Sequence, residues 1–344
     1  MDYNVINIFT TVFSGIYILV LLLFIIIFIA GKIYATRENK EKKYKIVFEN
    51  DVENFLKNQK NFKELKIEYL EIINLVISEK LQKYHDDEEY ISKIQQELVD
   101  ELLMPKIIRY YNSKDFMKRY NVVLSLSHAH DVLKYEKELI KLINDSRLIV
   151  KLNAAIIGCK HATSDIVEAI IKLISKERDH VKKSLVLVLE QDDTFKKLVF
   201  EKLKNSQDPY YSISCYTLLH LNKDDKYFYE LTKRDVKSNF ESLKLEALEA
   251  MIAIDDDDSH EYILSLLKSP DWKVRNKIFK AFKKYNIRWA IDKLGNFVND
   301  DSAWVRGSAI ETLVSFGEEG NKILNSLSKN NEIANDIKYY RMKG

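Results

Sequence analysis

The sequence predicts an all-α protein: an N-terminal single transmembrane helix followed by an α-solenoid of about six to seven helix pairs. Three observations carry this. The 344 residues include only 8 Gly and 3 Pro, too few for the turns of a sandwich, a barrel or a doubly wound sheet. An uncharged apolar stretch covers residues 8–30. Apolar positions then recur with a period near 31 through most of the remaining chain. Composition sets further bounds. With 46% hydrophobic and 31% charged residues, the chain is too apolar to stay disordered. Its 54 basic and 52 acidic residues leave a net charge of only +2. A whole-domain nucleic-acid binder needs a dominant basic field, so no nucleic acid is expected. Cys159 and Cys215 stand far apart, without the spacing of a zinc or redox pair, and read as small buried apolar residues.

The N-terminal element comes first. No residue from Tyr3 to Gly31 is charged, and Ile16–Ala30 is an unbroken apolar run. As a helix, Ile8–Ala30 would span about 34 Å at ~1.5 Å per residue, enough for a bilayer core of about 30 Å. No Lys or Arg precedes Lys32, which speaks against a cleaved signal peptide. The expectation is a short extracytoplasmic tail at 1–7, a retained anchor at 8–31 and a basic juxtamembrane linker at 32–45. Positive flanks stay inside. The chain is therefore expected in the cell membrane as a single-pass protein, N-terminus outside and C-terminal domain cytoplasmic.

Residues 46–111 read as an N-terminal helical region. Phe62, Leu65, Tyr69, Ile72 and Val76 step alternately by three and four, the spacing of one helix face. Pro105 marks a bend or a helix start. Residues 112–330 form the repeat domain, and 331–344 a C-terminal tail. The anchors Val150, Val181, Tyr211, Leu243, Val274 and Val305 are spaced by 31, 30, 32, 31 and 31. Four, five and eight residues after each anchor the chain is again apolar or small: Ala154, Ala155 and Gly158 in the first unit, Ala309, Ile310 and Leu313 in the last. These offsets trace one buried helical stripe. Asp208-Pro209 and Ser269-Pro270 suit a cap followed by proline in the first turn. A second, shorter amphipathic run follows in each unit, such as Ile166–Ile174 and Ala290–Val298. A degenerate earlier unit starts at Phe116.

The stretch Asp301-Ser-Ala-Trp-Val-Arg-Gly-Ser-Ala309, ending at Gly317, resembles the first helix of a HEAT-like repeat, with its Asp, its Val-Arg and an Ala four positions after the Val. Asp271-Trp-Lys-Val274-Arg275 matches the same start, with Ile278 where Ala is usual. The resemblance implies a right-handed superhelix of antiparallel helix pairs. It implies no chemistry, because such repeats scaffold many functions.

Local features mark candidate sites. Between Lys268 and Arg288 eight Lys and Arg accompany one acid, Asp271. Lys273, Lys277, Lys280 and Lys284 make one stripe along a helix over 271–285, a docking face for an acidic partner or anionic lipid. Trp272 and Trp304 occupy nearly equivalent places before their anchors, where exposed Trp would anchor an interface. The candidate partner-binding set is therefore Trp272, Lys273, Arg275, Lys277, Lys280, Lys284, Trp304 and Arg306. His128-Ala-His130-Asp131 and Asp255–Asp258 lack metal-ligand spacing and read as turns and caps. No catalytic, cofactor or metal site is expected. The expected function is a membrane-tethered scaffold or adaptor for protein partners, themselves membrane-associated, without catalysis of its own. Direct lipid binding through the basic helix is one alternative. A lyase or glycosylase of the kinds that some HEAT-like proteins resemble is the other.

Overall fold

The computed structural model describes the backbone at residues 3–57, 67, 69–189, 193–219, 226–327 and 331–343, and the side chains there except at 3–22, 179, 180, 183, 184, 188, 226, 227, 331–333 and 343. Every regular element among the described residues is helical, as the scarcity of Gly and Pro requires. Two compact units divide the chain, residues 1–154 and 155–344.

The first unit contains α1 (Tyr3–Leu56), α2 (Leu70–Lys83), α3 (Glu88–Ser92), α4 (Met104–Ile107), α5 (Phe116–His128) and α6 (Glu136–Ile143). A π-helical run, Lys93–Leu103, leads directly into α4, whose first turn holds Pro105. The end of α1 is amphipathic. Phe48, Val52 and Leu56 fall at i, i+4 and i+8 and are buried, and α1 packs on α2, which buries Ile73, Val76 and Ile77. The polar groups between α2 and α5 are satisfied. Asn74 Nδ2 donates to the Asn121 carbonyl at 2.9 Å, and Ser125 Oγ donates to Asn74 Oδ1 at 2.8 Å.

The expected anchor at 8–31 is corrected here. Tyr3–Leu56 is one uninterrupted helix, so the apolar stretch runs without a break into the charged residues of the expected linker at 32–45, which is itself helical. Among the described residues no helix is long and apolar enough to cross a membrane. Residues 8–22 of the expected span lie outside the described side chains. The single-pass membrane location, with tail 1–7 outside and the C-terminal domain cytoplasmic, is not supported.

α7 (Leu148–Lys160) leads into the second unit, which continues with α8 (Ser164–Lys176), α9 (Asp179–Val188), α10 (Asp193–Asn205), α11 (Pro209–Leu219), α12 (Lys226–Asp235), α13 (Glu241–Ile254), α14 (Asp257–Leu266), α15 (Trp272–Tyr285), α16 (Ile291–Leu294), α17 (Ala303–Ser315), α18 (Glu318–Leu327) and α19 (Asn331–Lys343). The helices that carry the sequence anchors, α11, α13, α15 and α17, pack in series. Their stripe is the core: Cys215, Tyr216, Ala247, Leu248, Ile278, Phe279, Ala309, Ile310 and Leu313 are all buried. Tyr211 is half-buried because its hydroxyl donates to Glu168 Oε2 on α8 at 2.5 Å. The expected run Ala290–Val298 is only a single α turn, α16, followed by 3-10 helix at Gly295–Asn299.

Two devices recur at the helix ends. α13, α15 and α17 all stop twelve residues after their anchor on a left-handed residue: Asp255 (φ 58°), Asn286 (φ 55°) and Gly317 (φ 70°). Asp and Asn tolerate this region better than other side chains, which explains how so few glycines suffice. At the other end, Asp271 caps α15 by accepting from the Lys273 N–H at 2.9 Å. Arg275 folds back over that turn and donates Nη1 to the Ser269 carbonyl at 2.6 Å, while Nε and Nη2 grip Asp300 at 2.8 and 2.7 Å. Asp300 in turn accepts from the Ser302 N–H at 2.9 Å. The first unit repeats this. Asp115 caps α5, Arg119 Nη1 donates to the Ser113 carbonyl at 2.7 Å, and Arg119 grips Asp145 at 2.5 and 2.9 Å.

Candidate functional site

The sequence-selected residues all lie on α15 and α17, and they separate into three groups. The two tryptophans come together. Trp272 begins α15 and Trp304 lies in the first turn of α17; their rings stack at 6.5 Å with 20° between planes. They are 37% and 68% exposed, so the pair is solvent-facing aromatic surface rather than core. Trp289, the remaining tryptophan, is half-buried: it stacks on His260 at 3.9 Å and donates Nε1–H to Asp255 at 2.8 Å.

The arginines do structural work. Arg275 and Asp300 have side chains only 12% and 8% exposed, and Arg306 donates Nη1 to the Asp300 carbonyl at 2.9 Å. Both guanidinium groups hold the turns from which Trp272 and Trp304 project.

The lysine stripe is a ladder of ion pairs with α13. Lys273 meets Glu241 at 2.7 Å, Lys277 meets Glu246 at 3.1 Å and also Glu249, and Lys284 meets Glu249 at 2.7 Å. Lys280 is exposed and has no ion pair among the described residues. The basic helix is thus largely neutralised by α13, which weakens its attraction for anionic lipid. These acids stand about one repeat period before their lysines, a spacing visible in the sequence.

Burial acts to raise the Glu249 carboxyl, but Lys277 and Lys284 outweigh it and hold the group down at about 2. Unfolded, the carboxyl returns to its ordinary value near 4.5. The contribution is therefore complete above pH ~4.5 and is lost as pH falls toward ~2, worth about 3 kcal/mol by linkage. Burial likewise acts to raise the Asp300 carboxyl, but hydrogen bonds from the Arg275 side chain and the Ser302 backbone N–H outweigh it, and the group ends lowered. Urea midpoints should fall steeply between about pH 4.5 and 2, and Glu249→Gln should flatten that fall and cost about 2–3 kcal/mol at pH 7.

Among the described residues the His128–Asp131 and Asp255–Asp258 motifs serve as a turn and a helix cap. Asp100 accepts from the His130 and Asp131 N–H groups at 3.2 and 2.8 Å, so that turn is a packed connection. Asp256 caps α14 by accepting from the Asp258 N–H at 3.0 Å. Among the described residues no three His, Cys, Asp or Glu side chains converge as metal ligands. Burial pushes the Cys215 thiol up, away from the reactive thiolate.

Sequence reasoning missed the extent of the aromatic edge. Tyr210, in the first turn of α11, is 64% exposed, and its ring meets Phe240, the residue before α13, edge-on at 5.0 Å. The next residues along, Glu241 and Lys273, bond each other. Four successive first helices therefore begin with an aromatic ring. The signal was present in sequence as an aromatic one to three positions before each of four anchors.

Stacked helix pairs, a shared stripe and recurring caps define a helical-repeat protein. Residues 230–314, from within α12 almost to the end of α17, match the HEAT repeats family, so this stretch of the chain is HEAT-like. Two engineered proteins with crystal structures from the Northeast Structural Genomics Consortium are similar to it. One covers 83% of this chain and 87% of its own at 15% identity and a TM-score of 0.30; the other covers 64% and 97% at 15% and 0.29. Scores of that size leave the fold argument on the helices and the matched repeats. No curated protein matches the chain. HEAT repeats commonly serve protein interaction and are typically non-catalytic.

Proposed function

We propose that the protein is a scaffold or adaptor that binds protein partners through its HEAT-like repeats and has no catalysis of its own. The observation that supports this most is the exposed Trp272–Trp304 stack. Leaving two large apolar rings in water is costly, and Trp is the side chain most enriched among residues that dominate binding energy. Their turns are held by the Arg275–Asp300 pair and by Arg306, so the rings are pre-positioned and lose little entropy on binding. Photocrosslinking tests the reading. A benzophenone amino acid at Trp304 of the full chain should give discrete protein adducts in cells. The same probe at Lys322, exposed on α18, should not. Equal labelling from both positions, or none from Trp304, would sink the proposal.

A further inference from the structure

We infer that the partner segment is an extended acidic peptide crossing the starts of α11, α13, α15 and α17. Its carboxylates enter a polar cleft beside α11, and its apolar side chains lie on the aromatic rings. The inference rests on the adaptor reading and adds the chemistry of the partner.

The cleft, about 580 Å³, lies between the turn joining α10 to α11 and the turn joining α12 to α13; Lys204, Ser206, Gln207, Arg234 and Lys237 help to line it. Its charges do not cancel. Arg234 grips Asp235 through Nε and Nη2 at 2.7 and 2.9 Å, and Asp235 also accepts from the buried Tyr216 hydroxyl at 2.9 Å. That aspartate is spent on the protein's own groups. Asp208 accepts from the Tyr210 N–H at 2.9 Å, and Glu241 holds Lys273. Lys204 and Lys237 are both exposed and have no ion pair among the described residues. Two free ammonium groups on a polar cleft attract carboxylates. This contrasts with the lysines of α15, whose charges are matched by α13.

The aromatic edge begins at the same place. Tyr210 and Phe240 start the helices that follow the two cleft turns, and Trp272 and Trp304 continue the row. Neighbouring helix axes lie about 8–10 Å apart, so the row from α11 to α17 extends ~25–30 Å. An extended chain at ~3.3 Å per residue covers this with about eight or nine residues. A single linear segment can therefore place acids in the cleft and apolar groups on the tryptophans.

The test uses fluorescence anisotropy with the full chain. The probes are labelled peptides of about 12 residues, a length that exceeds the row, carrying three glutamates at one end and Leu, Pro and Phe at the other, made in both orders. Controls replace Glu by Lys, and a poly-uridine oligonucleotide of equal length offers the nucleic-acid alternative. One order of the acidic peptide should bind at least about tenfold more tightly than its lysine version. Lys204→Glu with Lys237→Glu should weaken it at least about tenfold, as should Trp272→Ala with Trp304→Ala. Lys204→Ala with Lys237→Ala, milder for the fold, should weaken it in the same direction, and circular dichroism should match the parent. No saturable peptide binding, binding indifferent to the lysine substitutions, or preferential binding of the oligonucleotide would overturn the inference. If the peptides fail while Trp304 still crosslinks to proteins, the acidic-peptide chemistry falls and the adaptor reading stands.

Discussion

Arg275→Met is expected to destabilise the C-terminal repeats by about 3–4 kcal/mol. The guanidinium makes two bonds to Asp300 and one each to the Ser269 and Pro270 carbonyls, at 2.6 to 3.3 Å. Removing it strands a carboxylate whose side chain is 8% exposed and orphans two carbonyl groups that cap no helix of their own. A buried carboxylate without its partner is far costlier than the intact pair is favourable. Pairing Arg275→Met with Asp300→Asn should recover part of the loss, because the two changes share one interaction. Hydrogen exchange read on α15 and α17 should show the loss locally, with accelerated exchange at both helix starts. Arg119→Met should produce the same signature on α5, since Arg119 and Asp145 repeat the arrangement. Unchanged exchange in either place would contradict the structural role given to these arginines.

Gly320→Ala is the second large effect, at about 2–4 kcal/mol. Gly320 is buried in α18, and a Cβ there would overlap the Leu313 carbonyl oxygen of α17. Backbone cannot rotate aside as a side-chain tip can, so α18 must lift off α17 and uncover Leu324, which is fully buried. Gly31→Ala is the control. A Cβ at Gly31 meets nothing within 4 Å, and Ala is the better helix former by about 1 kcal/mol. Opposite signs at the two glycines in urea unfolding are the expected result.

Much of this architecture was legible in sequence, for a physical reason. A repeat buries the same face in every unit, so the pattern Val274, Ile278, Phe279, Phe282 recurs one period later as Val305, Ala309, Ile310, Leu313. The apolar run at 8–31 misled because hydropathy reports composition alone. In the structure it belongs to a helix of 54 residues that continues into charged sequence. The turn arginines carry a capping device that was legible in sequence: Ser113-Lys-Asp115 with Arg119 and Ser269-Pro-Asp271 with Arg275 share one spacing. The lysine stripe looked free because its acids lie on another helix, about one period away. Exposure of Trp272 and Trp304 could not be read, since a ring before an anchor suits core and edge equally. The exposure of the two rings in the folded chain separates the two.

The aromatic edge of the HEAT-like repeats is proposed as a protein-binding surface. The most direct measurement is the affinity of a partner identified by the Trp304 crosslink, for the parent chain and for Trp272→Ala with Trp304→Ala, with circular dichroism matched. A loss of about 30-fold or more is expected if the two rings carry the binding energy of hot-spot residues. Equal affinity for both chains would contradict the claim.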